Sequence, residues 1–271
     1  MLLEVQNVSK VFQSSSIKIE AIRHLSLSVA EKEFLCIVGP VGCGKTTLIN
    51  MIAGFEKPTE GKILFQGEEV EGPGPERTVV FQDGTLFPWM TVIQNIEFGL
   101  KAQHIPKSEV KKITRRCLSL VGLDEFGHMR PHELSGGMRR KAELARALAL
   151  NPGVLLMDEP LSSIDACTKQ WLQAELLDIW KKERKTVIYV THDIDEALFF
   201  ADRIVVFTAR PARVKVEFQI RMPKPRDLLS DEILGIKKQL MSHLICMARR
   251  ELYDPPLRWQ SAESTVRGND S

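Results

Sequence analysis

With 271 residues the chain suits one large domain or two modest ones, and its 44% hydrophobic content allows a sizeable buried core. Lys and Arg number 37 against 35 Asp and Glu, a formal net charge of +2, which excludes the broad basic footprint of a general nucleic-acid binder. The five cysteines (Cys36, Cys43, Cys117, Cys167 and Cys246) form no C-x-x-C pair, which argues against a disulfide framework or zinc site and for reduced thiols in a cytosolic setting.

The N-terminal residues carry Glu4 and no long apolar stretch, so no leader segment is expected. No run approaches the ~18 apolar residues of a membrane-spanning helix. Work at a membrane is expected to go through a partner.

In chain order, the N-terminal stretch and residues 62–70 read as surface strands of a small antiparallel layer. Five short apolar runs, at 34–38, 78–81, 154–157, 187–190 and 204–207, read as buried strands of a mostly parallel sheet. The residues at the end of each run matter, because ligands of open α/β sheets bind at the carboxyl ends of the strands. The first run leads into Gly39-Pro40-Val41-Gly42-Cys43-Gly44-Lys45-Thr46. The second ends at Gln82, the third at Asp158 and Glu159, the fourth at Thr191 and His192. The fifth delivers nothing obvious.

Between Gln82 and Asn151 the pattern is helical. Ser108 is expected to cap a helix whose apolar face holds Val110, Ile113, Cys117 and Val121; its Lys111, Lys112, Arg115 and Arg116 read as a solvated face. A second helix is expected from about 138 to 150. Residues 222–225 read as a linker, and Ser230, Asp231 and Glu232 open a last helix with Ile233, Ile236, Leu240, Leu244 and Met247 as its stripe. The tail, about 261–271, is polar and expected to be disordered.

The Gly39–Thr46 loop fits G-x-x-x-x-G-K-[ST], in which backbone N–H groups and the dipole of the next helix cradle phosphates. Lys45 supplies a point charge there, and the Thr46 hydroxyl can ligate Mg²⁺. Asp158 is brought to the same edge as a second Mg²⁺ ligand, and Glu159 can orient or deprotonate an attacking water. Leu134-Ser135-Gly136-Gly137-Met138, ahead of a helix, makes a second anion site. One nucleotide seldom needs two helix N-termini.

Taken in order, the Gly-rich loop, Gln82, residues 134–138, Asp158-Glu159, Ser162-Ser163-Ile164-Asp165 and His192 resemble the ATP-binding subunit of an ABC (ATP-binding cassette) transporter over about residues 2–210. The resemblance implies an α/β fold: a P-loop NTPase (RecA-like) core with a mostly parallel sheet, a small antiparallel β layer and an inserted helical lobe. Residues 1–218 would form the ATP-binding domain, with the lobe at about 84–150, and 219–271 a C-terminal extension. Its cofactors would be ATP and Mg²⁺. Thr47 joins Gly39 to Thr46 as a nucleotide contact, Phe12 stacks on adenine, and Gln82 senses Mg²⁺ and links the site to the membrane partner. His192 contacts the γ-phosphate, and Asp165 communicates across a head-to-tail dimer. In that dimer Ser135, Gly136 and Gly137 face the nucleotide of the other subunit.

Residues 80–83 and 86–92, Met138, and Arg210-Pro211-Ala212-Arg213 are similar to the nitrate, sulfonate and taurine importer group. The expected function is therefore ATP hydrolysis driving uptake of a small anion. The expected partners are a second ATP-binding subunit (a copy or a paralogue), integral-membrane permease subunits and, indirectly, an extracytoplasmic solute-binding protein. The chain would sit peripherally on the cytoplasmic face of the membrane. Leu86, Phe87 and Trp89 are candidates for the permease groove or for local core. Val41, Arg140, Lys141 and the Ser163-Ile164 pair depart from commoner residues, and Arg140 and Lys141 bear on the dimer interface and hydrolysis rate. The alternatives are a non-transport ABC ATPase acting on nucleic acid or the ribosome, and a P-loop kinase. The short insertion without heptads, the single cassette, residues 134–138 and His192 speak against them.

Overall fold

A computed structural model of the chain describes residues 1–14, 17–162 and 164–253. Ser163 and the expected disordered tail lie outside the described residues. Two sheets share the fold. The first is antiparallel, in the order β2-β1-β4-β5, with β1 at Leu3–Gln13, β2 at Lys18–Val29, β4 at Glu60–Phe65 and β5 at Glu68–Glu69. The second has the order β10-β9-β3-β8-β7-β6, with β3 at Phe34–Val38, β6 at Arg77–Val80, β7 at Val154–Asp158, β8 at Thr186–Thr191, β9 at Arg203–Phe207 and β10 at Val214–Gln219. All its neighbouring pairs are parallel except β9 with β10.

β3 explains why the sequence shows uninterrupted apolar runs. Phe34, Cys36 and Val38 face one hydrophobic core, while Leu35 and Ile37 face the other. A strand buried on both faces has no polar alternation. The first core is covered by α2 (Val92–Ala102), α3 (Lys107–Leu120) and α4 (Gly136–Ala149), together with α5 (Ala166–Glu183), α6 (Ile194–Phe200) and α7 (Asp231–Tyr253). The second holds α1 (Lys45–Ala53) between the two sheets. Helices α2, α3 and α4 are all inserted between β6 and β7, which is the expected helical lobe.

Several boundaries differ from expectation. α4 starts at Gly136, not at about 138, so both glycines form its first turn and Ser135 is its N-cap, accepting from the Met138 N–H at 3.2 Å. α3 is entered from Pro106 rather than capped by Ser108; no side chain caps it. Pro106 sits at the N-cap with φ −56° and ψ 140°, a backbone to which proline is already restricted. The residues expected to be a linker are fastened to the core. Lys224 forms an ion pair with Asp202 at 2.6 Å and lies 4.0 Å from the Trp180 ring centroid, and Arg226 donates to the carbonyls of Leu198, Ile220 and Met222. β10 is short and half-exposed as an antiparallel edge, which leaves little apolar signal to read.

Candidate functional site

The phosphate loop leaves β3 and enters α1. Gly42 and Gly44 take φ of 73° and 122°, a region side chains avoid, and a Cβ on Gly44 would stand 2.8 Å from the Ala21 carbonyl. Cys43 is buried under the loop, and a Cβ on Gly39 would meet the Cys43 Sγ at 3.1 Å. Lys45 is 5% exposed, and its Nζ donates to the carbonyls of Gly39 and Pro40 at 2.9 and 3.0 Å.

An open cleft of about 620 Å³ lies over this loop. Val41, Gly42, Gly44, Lys45, Thr46 and Thr47 form one wall. Phe12, Ile19 and Ala21 come from the antiparallel sheet, and Gln82, Glu159, His192 and Arg210 come from the ends of parallel strands. Phe12 is 39% exposed and packs under Lys10, whose Nζ is 4.9 Å from the ring centroid. It is thus a surface ring beside the loop and not core.

Asp158 lies at the floor of the site. It is 4% exposed, and its Oδ1 has no hydrogen-bond partner among the described residues. Burial pushes its carboxyl up, partly offset by a hydrogen bond from Thr46. An unpaired buried carboxylate oxygen beside a hydroxyl is costly in a dry interior and suits a hard cation with oxygen ligands. The residues present therefore fit Mg²⁺.

Glu159 holds φ of 45°, a strained conformation for a non-glycine residue, fixed by its N–H donating to the Val190 carbonyl at 2.9 Å. Its Oε2 lies 2.9 Å from His192 Nδ1. β8 sits between β3 and β7 and so brings His192 to the acidic pair.

Gln82 is positioned by residues that sequence reasoning did not assign to it. Arg140, 7% exposed, donates to the carbonyls of Phe81 and Gln82 at 2.8 and 2.7 Å and pairs with Glu143 at 2.6 Å. Glu143 in turn accepts from the Thr85 N–H at 2.9 Å; burial pushes its carboxyl up, opposed by the Arg140 charge. Arg140 thus points to the end of β6 and to Glu143 of its own helix, and Lys141 pairs with Glu175 of α5 at 2.8 Å. The available signal was the Arg140–Glu143 spacing, one helical turn. The fifth strand end is not empty either. Arg210, just beyond β9, donates from Nε and Nη2 to the Gly42 carbonyl at 3.1 and 2.8 Å.

Ser135, Gly136, Gly137 and Asp165 do not line this cleft. They share another face. A Cβ on Gly137 would lie 3.4 Å from Thr168 and 3.5 Å from Leu172 of α5, the helix that Asp165 caps. Ser135, Gly136 and Asp165 are exposed there. The Asp165 carboxyl is held below the usual range by hydrogen bonds from Thr168.

A Gly-rich phosphate loop between a buried strand and a helix, with an acidic pair and an imidazole at neighbouring strand ends, defines the P-loop NTPases as the class of this fold and site. The family model described as "ABC transporter" matches residues 22–162, over half of the chain. An uncharacterised ABC transporter ATP-binding protein of Methanocaldococcus jannaschii is 48% identical over 89% of this chain and 91% of its own length. The nitrate import ATP-binding protein NrtD of Synechococcus elongatus is 45% identical over 81% of each chain. The bicarbonate transport ATP-binding protein CmpD of Synechocystis sp. is 44% identical over 83% of this chain and 81% of its own. Among solved structures, the dimeric structure of a bacterial ABC transporter cassette has a TM-score of 0.71 at 31% identity, covering 82% of this chain and 100% of that one. A post-hydrolysis dimer of an ATP-binding cassette bound to ADP and Pi has a TM-score of 0.70 at 30% identity, with the same coverage. The chain belongs to the ABC transporter family, as an ATP-binding component whose ATP hydrolysis is coupled to transport.

Proposed function

We propose that the chain is the ATPase subunit of an importer for a small anion such as nitrate, sulfonate or taurine, working in a head-to-tail pair of cassettes (two copies, or one copy and a paralogue). The observation that carries the pairing is the separation of two faces: one holds the phosphate loop, while Ser135, Gly136, Gly137 and Asp165 sit outside its cleft. Two such faces complement each other, giving each nucleotide a second helix N-terminus from the opposite subunit. The anion cargo is supported by the relatives named for nitrate import and bicarbonate transport.

In this reading the adenine stacks on Phe12, and the backbone of residues 39–47 wraps the phosphates with Lys45. Thr46, Asp158 and Gln82 would hold Mg²⁺, which supplies charge neutralisation on the phosphate oxygens. Glu159, aimed by its fixed backbone and by His192, takes the proton of the attacking water. The water oxygen bonds to the γ-phosphorus as the bond to the ADP oxygen breaks. With its Nδ1 turned to Glu159 at 2.9 Å, the His192 imidazole has its Nε2 edge left for the γ-phosphate, where a ring N–H would stabilise the developing charge.

The permease is met beside Gln82. Trp89 is 68% exposed and Phe98 47%, with Phe87 between them at centroid distances of 5.7 and 4.7 Å. Leu86 is buried and belongs to the core. No described helix is long and apolar enough to cross a membrane, which suits peripheral attachment at the cytoplasmic face, with a solute-binding protein on the far side. Replacing Glu159 with Gln is expected to leave ATP binding intact and cut steady-state turnover about 100-fold or more. Undiminished hydrolysis in that variant would remove Glu159 from the chemistry.

A further inference from the structure

β9 brings a second cation to the nucleotide cleft. Arg210 lines it together with Phe12, Lys45 and Thr46. The loop that presents Arg210 is braced rather than free. Thr208 Oγ donates to the Pro211 carbonyl at 3.0 Å, and the Arg213 N–H donates back to Thr208 Oγ at 3.0 Å. The Ala212 N–H donates to the Ala21 carbonyl at 2.9 Å, and the Arg23 N–H donates to the Ala212 carbonyl at 3.1 Å. Ala21 is itself a wall of the cleft, so the segment carrying Arg210 is tied to the site it faces.

Arg210 forms no ion pair among the described residues. Its two bonds go to one backbone carbonyl, that of Gly42 in the phosphate loop. Lys45 is in the same condition, spending its charge on the carbonyls of Gly39 and Pro40. A neutral carbonyl is a weak partner for a cation compared with a phosphate oxygen, which gives shorter and stronger charge-assisted bonds. A planar guanidinium also carries N–H groups beyond the two that Gly42 occupies, so it can keep the loop and still bind an oxyanion.

We propose that Arg210 is a second phosphate-binding cation of this site, engaging the phosphate chain of the bound nucleotide from the β9 side while it holds the loop at Gly42. This rests on the reading of the cleft as the nucleotide site. The test is calorimetric titration of the full chain with ADP, comparing the wild type with Arg210→Met and Arg210→Lys. Arg210→Met is expected to weaken ADP binding about tenfold or more, and Arg210→Lys clearly less, since a lysine keeps the charge but not the extra N–H groups that hold Gly42 at the same time. ADP affinity unchanged in Arg210→Met would overturn the proposal and leave the nucleotide site standing. Equal losses in both variants would overturn it too, because a lysine keeps the cationic contact. A wild type that fails to bind ADP at all would overturn both this inference and the reading beneath it.

Discussion

At the scale of single residues, the phosphate loop is a packing solution as much as a binding one. Gly44 has a left-handed φ of 122°, and a Cβ there would stand 2.8 Å from the Ala21 carbonyl, so a methyl group has neither the conformation nor the space it needs. Gly44→Ala is expected to cost about 1–3 kcal/mol, lowering the thermal midpoint by several degrees, and to weaken ADP binding about tenfold as the N–H cradle opens. Differential scanning calorimetry and ADP titration check the two parts separately. The need for Gly44 was legible in the motif. Its partner, Ala21 on an antiparallel strand, was not, because the contact joins the loop after β3 to a strand of the other sheet.

At the scale of elements, the loop bearing His192 is held by a buried polar cluster. The Tyr189 hydroxyl and Thr191 Oγ both donate to Glu196 Oε2, at 2.9 and 2.7 Å. Lys169, from α5, pairs with Glu196 at 2.5 Å and with Asp193 at 2.7 Å. Asp195 of α6 pairs with Lys237 at 2.6 Å, joining the C-terminal helix to the same turn. Burial pushes the Asp193 carboxyl up, but the hydrogen bond and charge of Lys169 outweigh it and the net shift is downward. A carboxyl held low contributes stability above the ordinary carboxylate range and loses it as pH falls through its folded value. Lys169→Met is therefore expected to destabilise the protein by about 2 kcal/mol at pH 7, less than for a fully buried pair because Lys169 is partly exposed. The gap to wild type should narrow as pH falls below the ordinary carboxylate range. Urea unfolding at several pH values measures it; a gap constant down to strongly acidic pH would contradict this account of Asp193.

At the scale of the whole molecule, the proposed head-to-tail pairing makes one cassette the bearer of two unlike half-sites. A monomer is expected to bind ATP through its phosphate loop and hydrolyse it poorly, since Ser135 and its glycines cannot reach their own cleft. Hydrolysis per subunit should fall steeply on dilution below the dimerisation range. A specific activity that stays constant there would count against a shared site.

The sequence by itself determined the chemistry-bearing positions. The phosphate loop, Asp158-Glu159 and His192 each come at the end of a fully buried strand, where polar residues begin, so order along the chain was enough to bring them to one edge; the strand before Gln82 is a half-buried edge strand, with a weaker signal. That residues 134–138 start a helix was legible too, and the structure places Ser135, Gly136 and Gly137 outside the cleft over the phosphate loop. Tertiary structure alone decided which residues hold these in place. Arg140 reaches the Gln82 backbone across 58 residues, Lys169 reaches Asp193 across 24, and Arg210 reaches Gly42 across 168. Such bonds depend on which strands become neighbours in the sheet and which helices pack on them, and local pattern carries no record of either.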